Sequence, residues 1–288
     1  MSAPDTAVRW RCAVALLSGC SLTAIGCTLF SPLELSTATT AQRQVLPPIQ
    51  APADAVQLQI VFIERPTDDP LIRQLLWQDL DQVGAIPPET RQVLESNGLK
   101  IGQAGSNPPP SLQKLLGLTG ELVDPADQER QLMRGRRLGL RSGQETEIQS
   151  LDLVQDCSIR YVINGKSETA EYQQSRPVLQ VRPIRVQDGW VRVEIAPEIH
   201  HGQARMRHTP TEEGWALKGG QQCDARHALK FHVMLNTGEF AVISGDVEQP
   251  DSAGYRMFCY EVEGRLTQRL LVLRLADSGR TEADSVLK

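Results

Sequence analysis

Val191, Val193 and Ile195 alternate with Trp190, Arg192 and Glu194, a period of two that fits an extended strand with one buried face. The same period returns at Leu229, Phe231, Val233 and Leu235. A chain with such stretches must build a sheet that is apolar on one side and wet on the other. Gln187-Asp188-Gly189 precedes the first stretch and reads as a hairpin turn, because Asp-Gly readily takes the positive backbone angles of a tight turn. Asn236-Thr237-Gly238 turns the chain after the second, and Glu239 to Ser244 comes back. The run Val178 to Val186 contains Pro183, which cannot donate to a ladder, so an edge or bulged strand is expected there. Strands at Tyr255–Val262 and Leu270–Leu275, around Glu263-Gly264, complete a mainly antiparallel β domain over residues 151–276.

Upstream the pattern differs. Val56 to Ile63 is an almost continuous apolar strand, with Gln57 and Gln59 on one face. Asp69-Pro70 offers an N-cap followed by proline at the first helical position. Ile72, Leu75, Leu76, Leu80 and Val83 then form one helical stripe that Gly84 ends. A second helix is expected from Pro88 to Asn97, with Gly98 as its left-handed stop. A short strand, Leu99 to Gly102, comes next, and a helix opened by Pro108-Pro109-Pro110-Ser111 follows it. This order predicts a small α/β domain over residues 55–117, hence an α+β chain with two separate cores. Between them, residues 118–150 read as a charged linker carrying Arg130, Arg134, Arg136, Arg137 and Arg141, with a helix from Pro125 to Leu138 behind Asp124. Residues 277–288 form a polar tail.

The amino-terminal segment resembles that of bacterial lipoproteins. Arg9 and Arg11 precede the apolar run Cys12 to Leu17, and Leu17-Ser18-Gly19-Cys20 reads as a lipobox. The resemblance implies a signal segment over residues 1–20, cleavage before Cys20 and acylation of that cysteine. Ala24-Ile25-Gly26-Cys27 is a second, weaker candidate. Residues 12–30 are also long enough for an uncleaved anchor across about 30 Å of hydrocarbon, and an ordinary cleaved signal is the other alternative. Residues 21–54, rich in Ser, Thr, Ala, Gln and Pro, read as a flexible tether. The expected location is the cell envelope, membrane-anchored and facing periplasm or exterior.

Composition narrows the chemistry. A formal net charge of -5 argues against a nucleic-acid partner. Beyond Cys20 the exported part keeps Cys27, Cys157, Cys223 and Cys259, which allow three full pairings that the sequence leaves open. No catalytic or nucleotide-binding motif is present. Asp79 and Asp81 fall on different helical faces. His200 and His201 are adjacent and point apart in a strand; His227 and His232 bracket a strand; His208 sits in a polar stretch. No cofactor, metal site or catalytic residue is therefore expected, and the chain does not read as an enzyme. Trp77 and Trp190 either pack core edges or anchor a partner, since tryptophan is enriched among binding hot spots. Together with Pro183 they are the candidate partner contacts.

Trp77, Asp81, Arg91, Leu94, Asn97-Gly98 and Gly102 resemble a family of uncharacterised exported proteins from planctomycete-type bacteria. Residues 179–275 resemble the C-terminal part of secretins. The matching stretches are Gly189-Trp190-Val191-Arg192-Val193-Glu194-Ile195-Ala196-Pro197, then Gly238 to Gly245, then Ala253-Gly254 and Phe258. Ser244 stands where that pattern has the first glycine of a pair, and Asp246 where it has leucine. The second resemblance implies a related β module, and these departures favour a protein that is not itself a pore. The combined expectation is a membrane-tethered envelope protein that binds or scaffolds, joined to the membrane by lipid and to a protein partner or to further copies of itself. The alternatives are a subunit of a secretin-like ring and an enzyme acting on envelope polymer. Cys20→Ala is expected to abolish incorporation of labelled fatty acid; incorporation at wild-type level would move the assignment to Cys27.

Overall fold

The computed structural model describes residues 54–118, 132–211 and 214–278. Cys20, Cys27, the tether up to residue 53, the start of the expected 125–138 helix and the tail beyond residue 278 lie outside the described residues. In chain order the strands are β1 (Ala55–Pro66), β2 (Leu99–Ala104), β3 (Leu132–Arg141), β4 (Thr146–Gln149), β5 (Val154–Ile163), β6 (Lys166–Gln187), β7 (Trp190–Thr211), β8 (Gly214–Ala225), β9 (Phe231–Asn236), β10 (Phe240–Gly245), β11 (Cys259–Val262) and β12 (Arg265–Asp277). The helices are α1, a π turn over Leu71–Leu76 that runs into Trp77–Asp79, then α2 (Pro88–Ser96), α3 (Pro110–Leu115) and α4 (Ala253–Phe258).

Two antiparallel sheets carry the structure. The first has the order β2-β10-β12-β1-β3, with β11 added along β12. The second runs β4-β6-β7-β8, with β5 on β6 and β9 on β7. The central strands of the first sheet, β1, β10 and β12, are largely apolar on both faces because both faces are covered. Leu271, Leu273 and Leu275 join Leu58 and Ile60 in a core shared with Val191, Val193 and Ile195 of the second sheet. Leu270, Val272, Val61 and Ile63 face the other way, against Ile72, Leu76 and Trp77 around α1 and Leu112 and Leu115 of α3. The alternating strands of the second sheet bury only one face, as their period of two requires: Val191, Val193 and Ile195 are buried completely and Arg192 and Glu194 are not.

This arrangement corrects several expectations. Residues 55–117 do not form a separate α/β domain. β1 and β2 are separated by β12 and β10, so both segments build one sheet and share one core. The described part of the 125–138 segment is strand, not helix: residues 132–141 pair with β1 over its length, Gly135 opposite Val61 and Leu140 opposite Val56. Ala253–Phe258 is helical where a strand was expected, capped by Ser252, whose hydroxyl accepts from Tyr255 N. The first helix stops at Asp79 rather than Val83. Leu80 turns extended, and the Asp81 carboxylate accepts from Val83 N and Gly84 N, a local turn that outcompetes further helix. Finally, Val178–Val186 is an edge only in part: residues 178–181 have β7 on one side and β4 on the other, and among the described residues only β7 pairs with 182–185. Pro183 is buried just past the end of β4, where its missing N–H costs no ladder bond, and its carbonyl accepts from Gly143 N at 2.7 Å. The expected irregularity lies two residues on, between Arg185 and Gln187.

The close approach of three backbones ties α4 to the first sheet. Gly254 N donates to Asn97 O (2.9 Å) and Asp246 N to Gly98 O (2.7 Å). A Cβ on Gly254 would lie 1.8 Å from Gly98 O, and one on Gly245 would lie 2.2 Å from Gly254 O. Neither contact can relax by rotating a side chain, since both partners are main chain. Asn97, fully buried, adds a paired contact to β5: its Nδ2 donates to Val162 O (2.7 Å) and its Oδ1 accepts from Val162 N (2.8 Å). Gly254→Ala is therefore expected to lower stability by at least about 2–3 kcal/mol, the upper range for overpacking. Gly139→Ala on β3, where an added Cβ meets nothing within 4 Å, should leave the unfolding midpoint almost unchanged. Denaturant unfolding of the two variants checks the contrast.

Candidate functional site

The exposed face of the second sheet is a continuous polar ladder. Pairing register sets it: Arg182 stands opposite Glu194, Arg176 opposite His200, and Cys223 opposite His200 from the other side. Directly opposed residues share a face. Lys230 Nζ lies 3.0 Å from Glu194 Oε2, with Arg192 at 3.6 Å from the same carboxylate. Farther along, Arg176 Nη2 is 3.7 Å from Glu147 Oε2 and 3.1 Å from His200 Nδ1. His200 Nε2 and Cys223 Sγ each lie 3.2 Å from Glu198 Oε2.

Arg176 is a permanent donor, so it fixes the tautomer of the nearly buried His200. Nδ1 accepts, and Nε2 carries the proton toward Glu198. That hydrogen bond from His200 is the main reason the Glu198 carboxyl sits below its ordinary range, against the opposing pull of burial. A carboxyl lowered on folding stabilises the fold above the usual carboxylate range, and the contribution is lost as pH falls through it. Partial desolvation of the sulfur first, and then the hydrogen bond to Glu198, push the thiol of the otherwise exposed Cys223 up to about 12.

Where the ladder meets the first sheet there is a cleft of about 500 Å³. Arg269 forms its floor. Its Nε donates to Glu64 Oε1 at 2.9 Å, its Nη1 donates to Ser150 O, and its guanidinium lies over the rings of Phe62 (5.5 Å) and Tyr260 (5.2 Å). Glu64 and Glu147 both line the cleft, and each is held by an arginine, Arg269 and Arg176 respectively.

The most unusual feature is the length of β6 and β7, 22 residues each. Strands of globular proteins usually span 3–10 residues, and 22 extended residues reach roughly 70 Å. The first half of β6 and β5 fold back as a hairpin onto α2 and α4 through Asn97 and through Arg160 N, which donates to Asp251 O at 2.7 Å. β7 and β8 instead continue together as a two-stranded ribbon. Among the described residues it is tied to the body by Gln221 Nε2, which donates to Gln174 O at 2.7 Å, and by the His201 ring against Tyr172; Gln221 Nε2 also donates across the ribbon to Gly202 O at 2.9 Å. Below that point Tyr172 OH donates to Asp224 Oδ2 (2.6 Å), which also receives Arg226 Nη2 (3.0 Å). Past Gly202 the register shifts, and Gln203, Ala204, Arg205 and Met206 are exposed, Met206 by 63%. Among the described residues no strand pairs with the outer edge of β8.

The expected contact residues are placed differently. Trp77 is buried in the core beneath the first sheet and Pro183 is buried in β6, so neither presents a surface. Trp190 is half-buried beside the Asp188-Gly189 turn, at the opposite end of β7 from the ribbon. His200 and His201 do diverge, one into the ladder and one onto Tyr172. His208, which the polar stretch around it marks as a loop residue, lies on β7. Among the described residues Cys157, Cys223 and Cys259 are free thiols. The convergence of Glu198, His200 and Cys223 was hidden in the sequence, because it depends on the β7–β8 register. Only Glu198-x-His200, two residues on one strand face, is a local signal of it. Glu198→Gln is expected to lower the Cys223 thiol toward its ordinary range and speed its alkylation at pH 8 by roughly tenfold, since each unit changes the thiolate fraction tenfold. Mass spectrometry of the iodoacetamide-treated chain gives the rate at each cysteine.

No protein-family model matches the chain, and no curated protein matches it. The resemblance of residues 77–102 to planctomycete exported proteins is not shown by either comparison. The solved structures to which the chain is similar include three secretins. The type IV competence pilus secretin PilQ of V. cholerae is 13% identical, with 78% of this chain and 61% of that chain covered and a TM-score of 0.21. The β-barrel secretin domain of InvG from the Salmonella SPI-1 injectisome is 9% identical, with 81% and 66% covered and a TM-score of 0.20. The type II secretin GspD of enteropathogenic Escherichia coli is 12% identical, with 76% and 67% covered and a TM-score of 0.20. The chain spans less than two thirds of the PilQ and InvG chains it is compared with.

Proposed function

We propose that this chain is a membrane-tethered cell-envelope protein that binds or scaffolds a protein partner, with the β7–β8 ribbon as its contact element. The single observation behind this reading is a ribbon that leaves the body at Gly202 with exposed residues and an outer β8 edge unpaired among the described residues. A strand edge offers a row of backbone donors and acceptors, which another chain can satisfy by adding a strand. The lipobox at Cys20 supplies the tether in this reading, and residues 21–54 supply its reach. A ring built from copies of the chain is the second reading. It is favoured by a second strand, β3, that closes the other sheet and pairs on one side only among the described residues.

The test uses the full-length chain in its own membranes. A photoreactive amino acid is placed at Met206 on the ribbon or, as control, at Val83, which is 73% exposed on the loop after α1. The expected outcome is a discrete cross-linked adduct from position 206 and none from position 83. Adduct masses at multiples of the chain's own mass select the ring; one different mass selects a separate partner. No adduct from position 206, or equal adducts from both positions, overturns the proposal.

A further inference from the structure

We propose that Glu198, His200 and Cys223 form a binding site for a zinc-like divalent cation at the root of the β7–β8 ribbon. Glu198 and His200 are two apart on β7 and share a face, and Cys223 stands directly opposite His200 on β8. Their ligand atoms all lie within 4.8 Å of one another, with the carboxylate oxygen 3.2 Å from both the imidazole nitrogen and the sulfur. Metal–ligand bonds of about 2.0–2.3 Å at tetrahedral angles put neighbouring ligand atoms roughly 3.3–3.7 Å apart, so the two sides of the triangle that meet at Glu198 are already close to the required length and the third, within 4.8 Å, needs at most a small closure. The donor set of one sulfur, one imidazole nitrogen and one carboxylate oxygen suits zinc rather than calcium or magnesium, which take oxygen ligands. Water completes the fourth position.

The protons now in the triangle mark where the cation goes. The thiol and the imidazole Nε2 both point a proton at the same oxygen, Glu198 Oε2. Binding replaces both: the thiol proton leaves to solvent, and the imidazole gives up its Nε2 proton while taking one at Nδ1. Nδ1 then no longer accepts from Arg176, so the guanidinium turns fully to Glu147, whose carboxylate already lies 3.7 Å away. Thiolate and carboxylate together balance the charge of the ion. The other titratable groups acting on this triangle include Asp224 and Glu147 on the thiol and His227 on Glu198.

The test titrates the full-length chain in detergent with cobalt(II), whose visible absorption reports tetrahedral coordination and whose thiolate charge-transfer band reports sulfur ligation. Saturation at one equivalent with both signals, and their loss on adding zinc, is expected. Cys223→Ser, a change at an exposed position, should abolish the charge-transfer band and weaken binding at least tenfold; Cys157→Ser should retain both. No saturable binding, or a charge-transfer band that survives Cys223→Ser, overturns the site. His200→Gln, at a nearly buried position, should also lose the tetrahedral spectrum. If that variant does not fold, the Cys223→Ser result decides.

Discussion

The pairing of β1 with β12 is the constraint on which the rest of the molecule depends. It aligns Leu58 with Leu275 and Pro66 with Thr267, joining segments about two hundred residues apart in the chain. Once these strands lie together, β10 and β2 can extend the sheet on one side and β3 on the other. Everything between must then leave this sheet and come back to it. The second sheet is that excursion, and the shared core is what it returns to. The cleft lies at the seam, where Arg269 of β12 holds Glu64 of β1 and reaches the connection between β4 and β5 at Ser150. A half-buried pair of this kind is weak evidence of stability in itself. Its location specifies how the two sheets meet.

The sequence told apart the two kinds of strand, though not their partners. Alternation at Val191–Ile195 and Leu229–Leu235 was legible because one buried face imposes a period of two. The nearly continuous apolar runs at Val56–Ile63 and Leu270–Leu275 were legible as strands as well. What was missed is that such runs call for cover on both faces, and the helices over residues 71–79 and 110–115 are that cover. Reading them as a self-contained α/β unit came from their being neighbours in sequence, whereas β-sheet partners are set by register over any distance. The turn at Asp81 and the helix at Ala253 were decided by side-chain capping of a few backbone groups, a local competition that hydrophobic period does not register.

The site was less legible, for the same reason. Trp77 and Trp190 stand out in the sequence because tryptophan is rare and large, yet size alone favours burial as readily as binding. The ladder of Arg176, Glu198, His200 and Cys223 contains no conspicuous residue. It exists because three strands align side chains that are far apart in the chain. The ribbon was invisible because residues 201–222 have neither strong alternation nor a long apolar run, and nothing local says that two strands will continue past the core that supports them.

The continuity of β7 from ribbon into body gives the molecule a definite response to mechanical load. Tension applied along the ribbon enters the second sheet along the axis of a strand held by β6 on one side and β9 on the other over residues 190–195. The hydrogen bonds of an antiparallel ladder run perpendicular to that axis. They are therefore loaded together in shear instead of parting one after another, as they would in a hairpin peeled from its end. The ribbon joins the body through a ladder loaded in shear, so a pull along the ribbon is shared among the paired residues of β6, β7 and β9.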